Sequence, residues 1–335
     1  MSPDPTKTVR QLLEEQPEIA NRDLAKYLGV SAATSHRMLQ GLVLTGILER
    51  RGQGRSTFYR LRPIRRRFPL GSAKEDEVWS QVSEQISRTR VLGRTEDQAL
   101  RYAATEVINN AIDHSGGKRL NVEVDFEGRA TTVTRVIDDG VGVFRKVCDD
   151  FGYRSTKDAI IQLEKGKLTS DPSGHSGEGL FFSSKAVSRF RLESDGVAWV
   201  VDAIAGDSGI GPSGVKRGTR VVLEVVRGET PRLQDVFAAY TNPETMRFMK
   251  TRTTISLSSF GLSLISRSEA KRVTARLREF EHVTLDFTGV EVVGQGFCDE
   301  VFRVFALQHP EVTLDPVGMN EMVEFLVRRA RARSE

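Results

Sequence analysis

The stretch from Glu106 to Ser115, Glu-Val-Ile-Asn-Asn-Ala-Ile-Asp-His-Ser, constrains this chain more than any other part of its sequence. In a helix, which turns by about 100° per residue, Glu106, Asn110 and Asp113 fall within about 60° of one another. The opposite face is apolar and carries Ala104, Val107, Ile108, Ala111 and Ile112. The pattern therefore predicts a half-buried helix with two carboxylates and a carboxamide along one stripe. Taken alone, that stripe is most simply a solvated polar face.

Two glycine-rich stretches follow this helix and change that interpretation. Residues 137–143, Ile-Asp-Asp-Gly-Val-Gly-Val, have the pattern of a strand that ends in a glycine-spaced turn at Asp138. Residues 174–180, Gly-His-Ser-Gly-Glu-Gly-Leu, have the pattern of a glycine-rich loop that opens an apolar helix. Each stretch alone has a simpler explanation, a hairpin turn for the first and a flexible loop for the second. The three stretches together, in this order, are a much more specific pattern than any one of them.

In that order they resemble the nucleotide-binding motifs of the GHKL superfamily, which includes gyrase, Hsp90, histidine kinases and the mismatch-repair protein MutL. The resemblance covers roughly residues 75–226. It implies an α/β fold, with a mixed or antiparallel sheet and helices on one face. It also implies ATP and Mg²⁺ as ligands. The sequence has no Walker-type Gly-Lys-Ser/Thr loop, which argues against a P-loop enzyme.

The resemblance implies a role for each polar residue of these motifs. Asp138 would accept a hydrogen bond from the adenine amino group, and Thr219 would support that aspartate. Asn110 would hold Mg²⁺ through its side-chain oxygen, and Glu106 would be the catalytic base that orients water toward the γ-phosphate. Residues 145–173 would form a mobile lid over the nucleotide. The other ATP-binding positions implied are Asp113, Gly140, Gly142, Gly174, Ser176, Gly177, Gly179 and Leu180.

Charge is distributed unevenly along the chain. The formal net charge is +4, whereas residues 1–67 carry 13 Lys and Arg against 6 Asp and Glu, a net of +7. The remaining residues are therefore mildly acidic, with a net charge of −3. A basic first fifth joined to an acidic body predicts a nucleic-acid-binding module at the N-terminus.

The pattern of this N-terminal segment is a first helix, a helix-turn-helix and a hairpin. Asn21 stands where a helix cap is expected, Gly29 makes the tight turn, and Ser31 caps the following helix. Two strand-like runs then flank Gly52-Gln53-Gly54. This order resembles the winged-helix DNA-binding domains of bacterial transcription regulators, and we place such a domain at residues 1–67.

In winged-helix domains the second helix of the helix-turn-helix enters the major groove, and the wing touches the DNA backbone. The candidate DNA readers are therefore Ser35, His36 and Arg37 on that helix. Arg51 and Arg55, in the wing, are candidate phosphate contacts. A winged helix used for protein contact is the alternative, and the basic wing argues against it.

A second basic run follows the hairpin. Arg62 and Arg65-Arg66-Arg67 lie around Pro63 and before Pro69. We interpret this segment as a linker that could also lie on DNA phosphates. A solvated charge run explains the same residues equally well.

The last segment, residues 250–335, alternates strand and helix patterns as βαβα. It resembles the STAS-type domains of anti-sigma-factor antagonists, and closely the STAS-like domain fused behind such ATPase domains. Antagonists present a phosphorylatable serine in Asp-Ser-Ser-Gly at the start of a helix, where this chain has Gly294-Gln295-Gly296-Phe297. The resemblance therefore implies a protein partner and leaves the usual phospho-switch in doubt.

The three resemblances predict a multidomain α/β protein: a winged helix, a GHKL sandwich at residues 75–226 and a small βαβα STAS-like domain. We expect an ATP-binding regulator that hydrolyses ATP slowly and binds double-stranded DNA, with its nucleotide state controlling DNA or partner binding, and with a homodimer left open. The alternatives are an anti-sigma-type serine/threonine protein kinase acting on a separate protein, and a degenerate domain that only senses ATP. Isolated cysteines at 148 and 298 and the lack of an apolar run near 18 residues predict a cytoplasmic location without a membrane span.

Overall fold

The computed structural model describes residues 5–128, 131–166, 178–240, 252–275 and 277–332. The chain divides into two compact units. The first consists of Met1–Arg145, Phe182–Asp207 and Gly211–Leu233. The second consists of Lys146–Phe181, Ser208–Ile210 and Gln234–Glu335. The three domain boundaries expected from the sequence stay predictions.

The N-terminal helices and wing form because apolar residues recur first at helical spacing and then in alternation. Helices α1, α2 and α3 span Pro5–Glu15, Asn21–Leu28 and Ala32–Leu44. Strands β1 and β2, Leu48–Arg51 and Phe58–Leu61, pair antiparallel on either side of the predicted glycine tip. Their shared core contains Val9, Leu12, Leu13, Ile19, Leu24, Leu39, Leu42, Leu48, Tyr59 and Leu61. The predicted winged-helix pattern is confirmed.

The cap of α2 differs from the prediction. Ala20, not Asn21, is the cap residue, and its N–H donates to Asp23 Oδ2 (2.7 Å). The Asn21 side chain instead joins α2 to α3 through hydrogen bonds. It donates to Ala32 O (3.0 Å) and accepts from Ser35 Oγ (2.7 Å). The prediction was wrong because a tertiary contact, rather than the local helix end, takes the hydrogen-bonding groups of this asparagine.

The expected linker is a strand. Ile64–Pro69 form β3, which pairs antiparallel with β4 (Arg119–Glu127). Arg65, from the basic run, donates to Asp125 Oδ1 on β4 (2.7 Å). The linker interpretation was wrong because a run of arginines has no apolar alternation, and only pairing with β4 shows that it is an edge strand. The winged helix therefore continues directly into the sheet of the next domain.

The central sheet has seven strands. Its further strands are β5 (Thr131–Asp138), β6 (Arg189–Ser194), β7 (Val197–Asp202), β8 (Asp207–Pro212) and β9 (Thr219–Val226). The spatial order is β3-β4-β5-β9-β6-β7-β8, and the pairings from β3 through β7 are antiparallel. Helices α4 (Glu75–Thr89) and α5 (Arg94–His114) pack on this sheet. The predicted α/β architecture is confirmed.

The two faces of the sheet differ in chemistry, which explains the one-sided helix layer. On β4, Leu120, Val122 and Val124 are fully buried, whereas the alternate positions are polar or charged. Ion pairs cross that charged face: Arg135–Asp125, Arg65–Asp125, Arg191–Glu193, Arg220–Glu193, Arg189–Asp202 and Arg189–Glu224. Burial acts to raise the pKa of Glu193, but hydrogen bonds from Arg220, Ser213 and Arg191 outweigh it and hold that pKa below its usual range.

The second unit starts within the segment expected to be a lid. Helix α6 spans Val143–Phe151 and α7 spans Thr156–Glu164. Ser155 caps α7, since its Oγ accepts from Asp158 N (3.2 Å). Residues 167–173 of the expected lid lie outside the described residues. The next helices along the chain are α8 (Gly179–Ala186) and α9 (Leu233–Tyr240).

The C-terminal part of the second unit is built on parallel strands. Strands β10 (Arg252–Ser256), β12 (His282–Asp286) and β14 (Thr313–Val317) pair in the order β10-β12-β14, and β11 (Ser263–Leu264) pairs with β13 (Val292–Val293). The helices are α10 (Arg267–Thr274), α11 (Gln295–Asp299), α12 (Ala306–Gln308) and α13 (Glu321–Arg331), and a π-helical stretch, Glu300–Phe305, joins α11 to α12. The predicted βαβα alternation is confirmed. Within the described ranges, no helix is long and apolar enough to cross a membrane.

Candidate functional site

Helix α5 holds the candidate magnesium and base residues on the side away from the core. Its buried positions are Glu96, Ala99, Leu100, Ala103, Ala104, Val107, Ile108 and Ala111. Glu106 and Asn110 are half-buried, and Asp113, at the end of the helix, is exposed. A carboxylate and a carboxamide one turn apart can bind a hydrated cation and the phosphate that accompanies it. The predicted helix is therefore confirmed, while the roles of these three side chains stay predictions.

Asp138 ends β5 with a buried carboxyl group, since only 8% of the residue is exposed. Its Oδ1 accepts hydrogen bonds from the N–H groups of Gly140 (2.9 Å) and Thr219 (3.3 Å). Burial raises the pKa of Asp138, and these hydrogen bonds oppose the shift without cancelling it. A buried carboxyl group that is incompletely compensated is well suited to accept a further hydrogen bond from a ligand. The adenine amino group implied by the resemblance is such a donor.

The neighbouring carboxylate, Asp139, has the opposite environment. Its Oδ1 accepts from the N–H groups of Lys118 (2.7 Å) and Arg119 (2.9 Å), and its Oδ2 accepts from Arg119 Nε (2.9 Å). These hydrogen bonds lower the pKa of Asp139 to about 2. Asp139 therefore holds the loop between α5 and β4 in place, and Asp138 is the member of the pair suited to a ligand.

The two glycines of this turn, Gly140 and Gly142, lie in close contact with other parts of the protein. A Cβ at Gly140 would overlap the carbonyl oxygen of Ser115, which follows α5. Gly142 has a φ of +93°, and a Cβ there would lie 2.8 Å from Asp195 Oδ2. The sequence interpretation assigned both glycines to the approach of a base and ribose. In the structure, the backbone of Ser115 excludes a side chain at Gly140, and the positive φ of Gly142, with the Ser194 and Asp195 side chains beside it, disfavours one there.

Thr219 joins the Asp138 turn to the start of α6. Its N–H donates to Asp138, and its Oγ1 accepts from Val143 N (3.1 Å). Gly218, beside it, has a φ of +71°, and a Cβ there would overlap the carbonyl oxygen of Asp138. Thr219 thus lies where the resemblance implies. Gly218 belongs to the same cluster; the sequence shows it directly before Thr219 but gives it no role of its own.

The predicted phosphate-binding loop falls only partly within the described residues. Gly174, Ser176 and Gly177 lie outside the described residues. Gly179 and Leu180 are described, and they open helix α8 as predicted. The first N–H groups of a helix attract anions because they have no intrahelical acceptor. The assignment of these positions to ATP phosphates stays a prediction.

The donor set suits Mg²⁺ bound together with a nucleotide rather than a metal centre built by the protein alone. No group of three or more His, Cys, Asp or Glu side chains is arranged to hold a metal ion in the part of the chain that the structure describes. Mg²⁺ prefers oxygen ligands, keeps several waters and commonly takes only one or two ligands from a protein. Asn110 supplies one such oxygen, and phosphate oxygens would supply others.

Two of the three predicted DNA readers on α3 are exposed. His36 and Arg37 lie on the outer face of this helix. Ser35 is fully buried, and its hydroxyl donates to the backbone oxygen (2.9 Å) and to Oδ1 (2.7 Å) of Asn21. Assigning Ser35 to DNA was therefore wrong, because its side chain points into the helix pair and joins α2 to α3. The cap predicted at Ser31 is confirmed, since its Oγ accepts from the N–H of residue 34.

The wing is basic and exposed, but its arginines are not equivalent. Arg55, at the tip, is exposed. The Arg51 side chain is 57% exposed, and its Nε donates to Glu49 Oε1 (2.8 Å), which also accepts from Arg60 Nε (2.6 Å). Arg50 is exposed on β1 and was passed over, although it belongs to the same basic run. Because Arg51 shares a carboxylate, Arg50 and Arg55 are better suited to phosphate contact.

The core of the winged helix extends into the neighbouring domain. Val91, just before α5, belongs to that core, and Leu92 and Phe126 pack against it. Arg227, just after β9, also forms an ion pair with Glu14 on α1 (2.5 Å). The sequence could not indicate this shared core, because an apolar pattern shows which face of an element is buried but not which other element covers it.

The fold agrees with three family matches along the chain. Residues 9–52 match the IclR helix-turn-helix domain, and residues 95–229 match the histidine kinase-, DNA gyrase B- and HSP90-like ATPase. Residues 269–324 match a STAS-like domain of unknown function, DUF4325. The chain therefore combines a helix-turn-helix of a DNA-binding type with an ATP-binding domain of the GHKL type. More particularly, it carries these two ahead of a STAS-like domain, which is the order predicted from the sequence.

Comparison with individual proteins adds little to these matches. A search of curated proteins found no match to the chain. A crystal structure assigned to the ICLR transcriptional regulators, from Silicibacter sp. TM1040, is 14% identical over 70% of this chain and 91% of its own length, with a TM-score of 0.19. A TM-score of 0.19 is too low to support any inference about the fold of this chain.

Proposed function

We propose that this protein is a transcription regulator in which Mg-ATP, bound at the Asp138 site, alters DNA binding by the winged helix. The observation that carries the proposal is the position of Val91. This residue is buried in the winged-helix core, three residues before α5 begins. The helix that bears Glu106 and Asn110 therefore starts against the DNA-binding domain.

Each residue of the site has a task in this proposal. Asp138 accepts the adenine amino group, and the N–H groups of Gly140 and Thr219 hold the carboxyl group in place. Asn110 contributes an oxygen to the cation. Bound Mg²⁺ supplies charge that stabilises the phosphates. Glu106, one turn earlier on α5, orients a water molecule and accepts its proton, which gives slow hydrolysis.

Close packing connects this site to the winged helix. Protein interiors have few voids, so a small shift of a buried element displaces its neighbours. A shift of α5 on nucleotide binding would move Val91 and Leu92 within the winged-helix core. The Glu14–Arg227 ion pair adds a second connection, from α1 to the end of β9. We therefore expect the nucleotide state to change the orientation of α3 and the wing.

The test is DNA binding by the full-length chain with and without nucleotide. Fluorescence anisotropy would follow binding to a labelled random-sequence duplex at several salt concentrations, with Mg-ATP, Mg-ADP or Mg²⁺ alone. We expect the DNA affinity of the wild type to change at least about fivefold with Mg-ATP, on the scale of ordinary allosteric coupling. Asn110→Ala is the control and should bind DNA identically in all three conditions. If the wild type binds ATP but its DNA affinity does not change, nucleotide control of DNA binding is refuted.

Two further features belong to this proposal and have their own measurements. A homodimer would place two winged helices on one duplex, and light scattering with and without ATP measures its formation. Incubation with radiolabelled ATP identifies the chemistry. Released phosphate supports the ATPase, label on a protein supports the kinase alternative, and tight binding without either supports a sensor.

A further inference from the structure

Lys165 is a buried cation that the proposed nucleotide site does not use. It directly follows α7, and only 1% of the residue is exposed. Its Nζ donates to the carbonyl oxygens of Val273 (3.1 Å) and Ala275 (2.7 Å), at the C-terminal end of α10. The last carbonyl groups of a helix have no intrahelical donors, and the helix dipole makes that end negative. Lys165 therefore fastens the end of α7 to the end of a helix of the STAS-like domain.

A second contact joins the same two helices. Arg272 on α10 donates to Asp158 Oδ1 on α7 through both Nε (2.9 Å) and Nη2 (2.5 Å). The carboxylate is held from its own side, because Ser155 Oγ donates to Asp158 Oδ2 (2.7 Å). The guanidinium lies 5.9 Å from the centre of the Phe260 ring. A charged pair whose two members are each held by a further contact loses little additional conformational freedom when it forms.

These contacts fall within the chain segment that connects the two glycine-rich nucleotide motifs. The segment leaves the Asp138 turn through α6, where the N–H of Val143 donates to Thr219 Oγ1. It returns at Gly179, the first residue of α8. Its two ends thus belong to predicted nucleotide motifs, while α7 belongs to the same compact unit as the STAS-like domain. The chain between the two motifs is therefore attached to α10 through α7.

We propose that the STAS-like domain positions this segment for ATP binding, with Lys165, Asp158 and Arg272 as the positioning residues. The inference rests on the proposed ATP binding and adds the element that regulates it. Ordering a chain segment around a ligand costs conformational entropy, and a segment already anchored in its middle has less entropy to lose. Any partner that displaces α10 would therefore weaken ATP binding.

The experiment is calorimetric titration of the full-length chain with ATP and Mg²⁺. Arg272→Glu places a second carboxylate beside that of Asp158, and the two repel each other. It should weaken ATP binding about tenfold, or about 1.4 kcal/mol at 25 °C. Lys271→Glu makes the same charge change one residue earlier, at an exposed position, and should stay within about twofold of the wild type. Adding Asp158→Lys to Arg272→Glu restores an ion pair of reversed polarity. The double variant should recover affinity to within about threefold of the wild type.

Hydrogen exchange gives a second readout, which does not depend on hydrolysis. If the contact favours ATP binding, ATP must by linkage favour the contact to the same degree. Mg-ATP should therefore slow amide exchange in residues 267–274 of the wild type. Lys165→Met, which keeps the length of the side chain but removes its donors, should abolish that effect. Thermal unfolding without nucleotide identifies any variant that fails to fold.

The outcomes separate this inference from the proposed function. If the wild type does not bind ATP, the proposed function fails and the inference fails with it. If the wild type binds ATP and Arg272→Glu binds it equally well or more tightly, the inference alone is overturned. Weak binding by Lys271→Glu, or no recovery in the double variant, also overturns it, because the weaker binding would then reflect general damage to the domain.

Discussion

Gly218→Ala tests whether the backbone beside Asp138 has the conformation described above. Gly218 has a φ of +71°, in the left-handed region, where a Cβ costs roughly 1–2 kcal/mol. The new Cβ would also overlap the carbonyl oxygen of Asp138 and lie 3.1 Å from Asp139 Cα. Both neighbours are backbone atoms of a paired strand end, so the strand must shift, at a typical cost of about 1–3 kcal/mol.

Together these costs predict a decrease of about 3 kcal/mol in the free energy of unfolding. For a domain of about 150–250 residues, this lowers the melting temperature by about 6–12 °C. Gly214→Ala, in the same loop, is the matched control, because its φ lies outside the left-handed region and no atom lies within 4 Å of the added Cβ. That substitution should change stability by less than about 1 kcal/mol.

Circular dichroism melts of the two variants and the wild type measure the difference, with urea titration as an independent measure of the free energy. Gly218→Ala should also weaken ATP binding, because the Asp138 carboxyl group would move with its strand. Equal melting temperatures for the two alanine variants would refute the conformation at Gly218, and with it the expected movement of the Asp138 carboxyl group.

Four further variants test the other candidate side chains. Asp138→Asn should weaken ATP binding about 10–100-fold, the range for removing a hydrogen bond to a charged acceptor. Since the folded pKa of Asp138 is raised above its ordinary 3.8, protonation stabilises the fold below that pH and the benefit disappears as pH rises. In thermal melts from pH 3 to pH 8, the melting temperature of Asp138→Asn should therefore rise relative to that of the wild type as pH increases. A difference in melting temperature that does not change with pH would contradict this. Asn110→Ala should remove Mg-dependent ATP binding without unfolding the domain, and unchanged affinity by calorimetry would reject the magnesium assignment. Glu106→Ala should keep ATP affinity near the wild type but slow phosphate release roughly 100-fold, the scale for a general base, whereas equal rates would remove Glu106 from the mechanism. Alanine at both Arg37 and Arg55 should reduce the salt dependence of DNA binding by about one unit of slope for each phosphate that is no longer neutralised, and a wild-type slope would show that the winged helix does not use them.

The contrast between Asp138 and Asp139 shows that the fold gives two adjacent aspartates different environments and therefore different roles. Asp139 receives hydrogen bonds from two backbone groups and a guanidinium, and its pKa falls to about 2. Asp138 is buried, and its hydrogen bonds from Gly140 and Thr219 do not cancel the effect of burial, so its pKa is raised. The first carboxylate stabilises a loop at all but very low pH. The second is costly to bury unless a ligand supplies a donor, which is the property expected of a binding residue.

Local chemistry was enough to predict most of the elements and their order. Period 3.6 on α5 identified its buried side, and the glycine tip between β1 and β2 identified the wing. The apolar alternation of β4 predicted a half-buried strand. These features depend on neighbours a few residues apart, because helix and strand geometry place such neighbours on a common face. The resemblance of the three motifs to the GHKL superfamily, rather than local geometry, assigned Asp138, Asn110 and Glu106 to one candidate site.

Long-range pairing decided the rest, because a hydrogen-bonding group goes to whichever partner the fold brings near. Asn21 was expected to cap α2 and instead contacts Ser35, which removes that serine from the DNA surface. The arginine run at 65–67 has the pattern of a linker until β4 pairs with it. The sequence does not indicate where the Lys165 side chain lies, since a lysine after a helix is ordinarily solvated. Only the fold places it on the carbonyl groups that end α10, and a buried cation is stable there because those groups have no other donors within their helix.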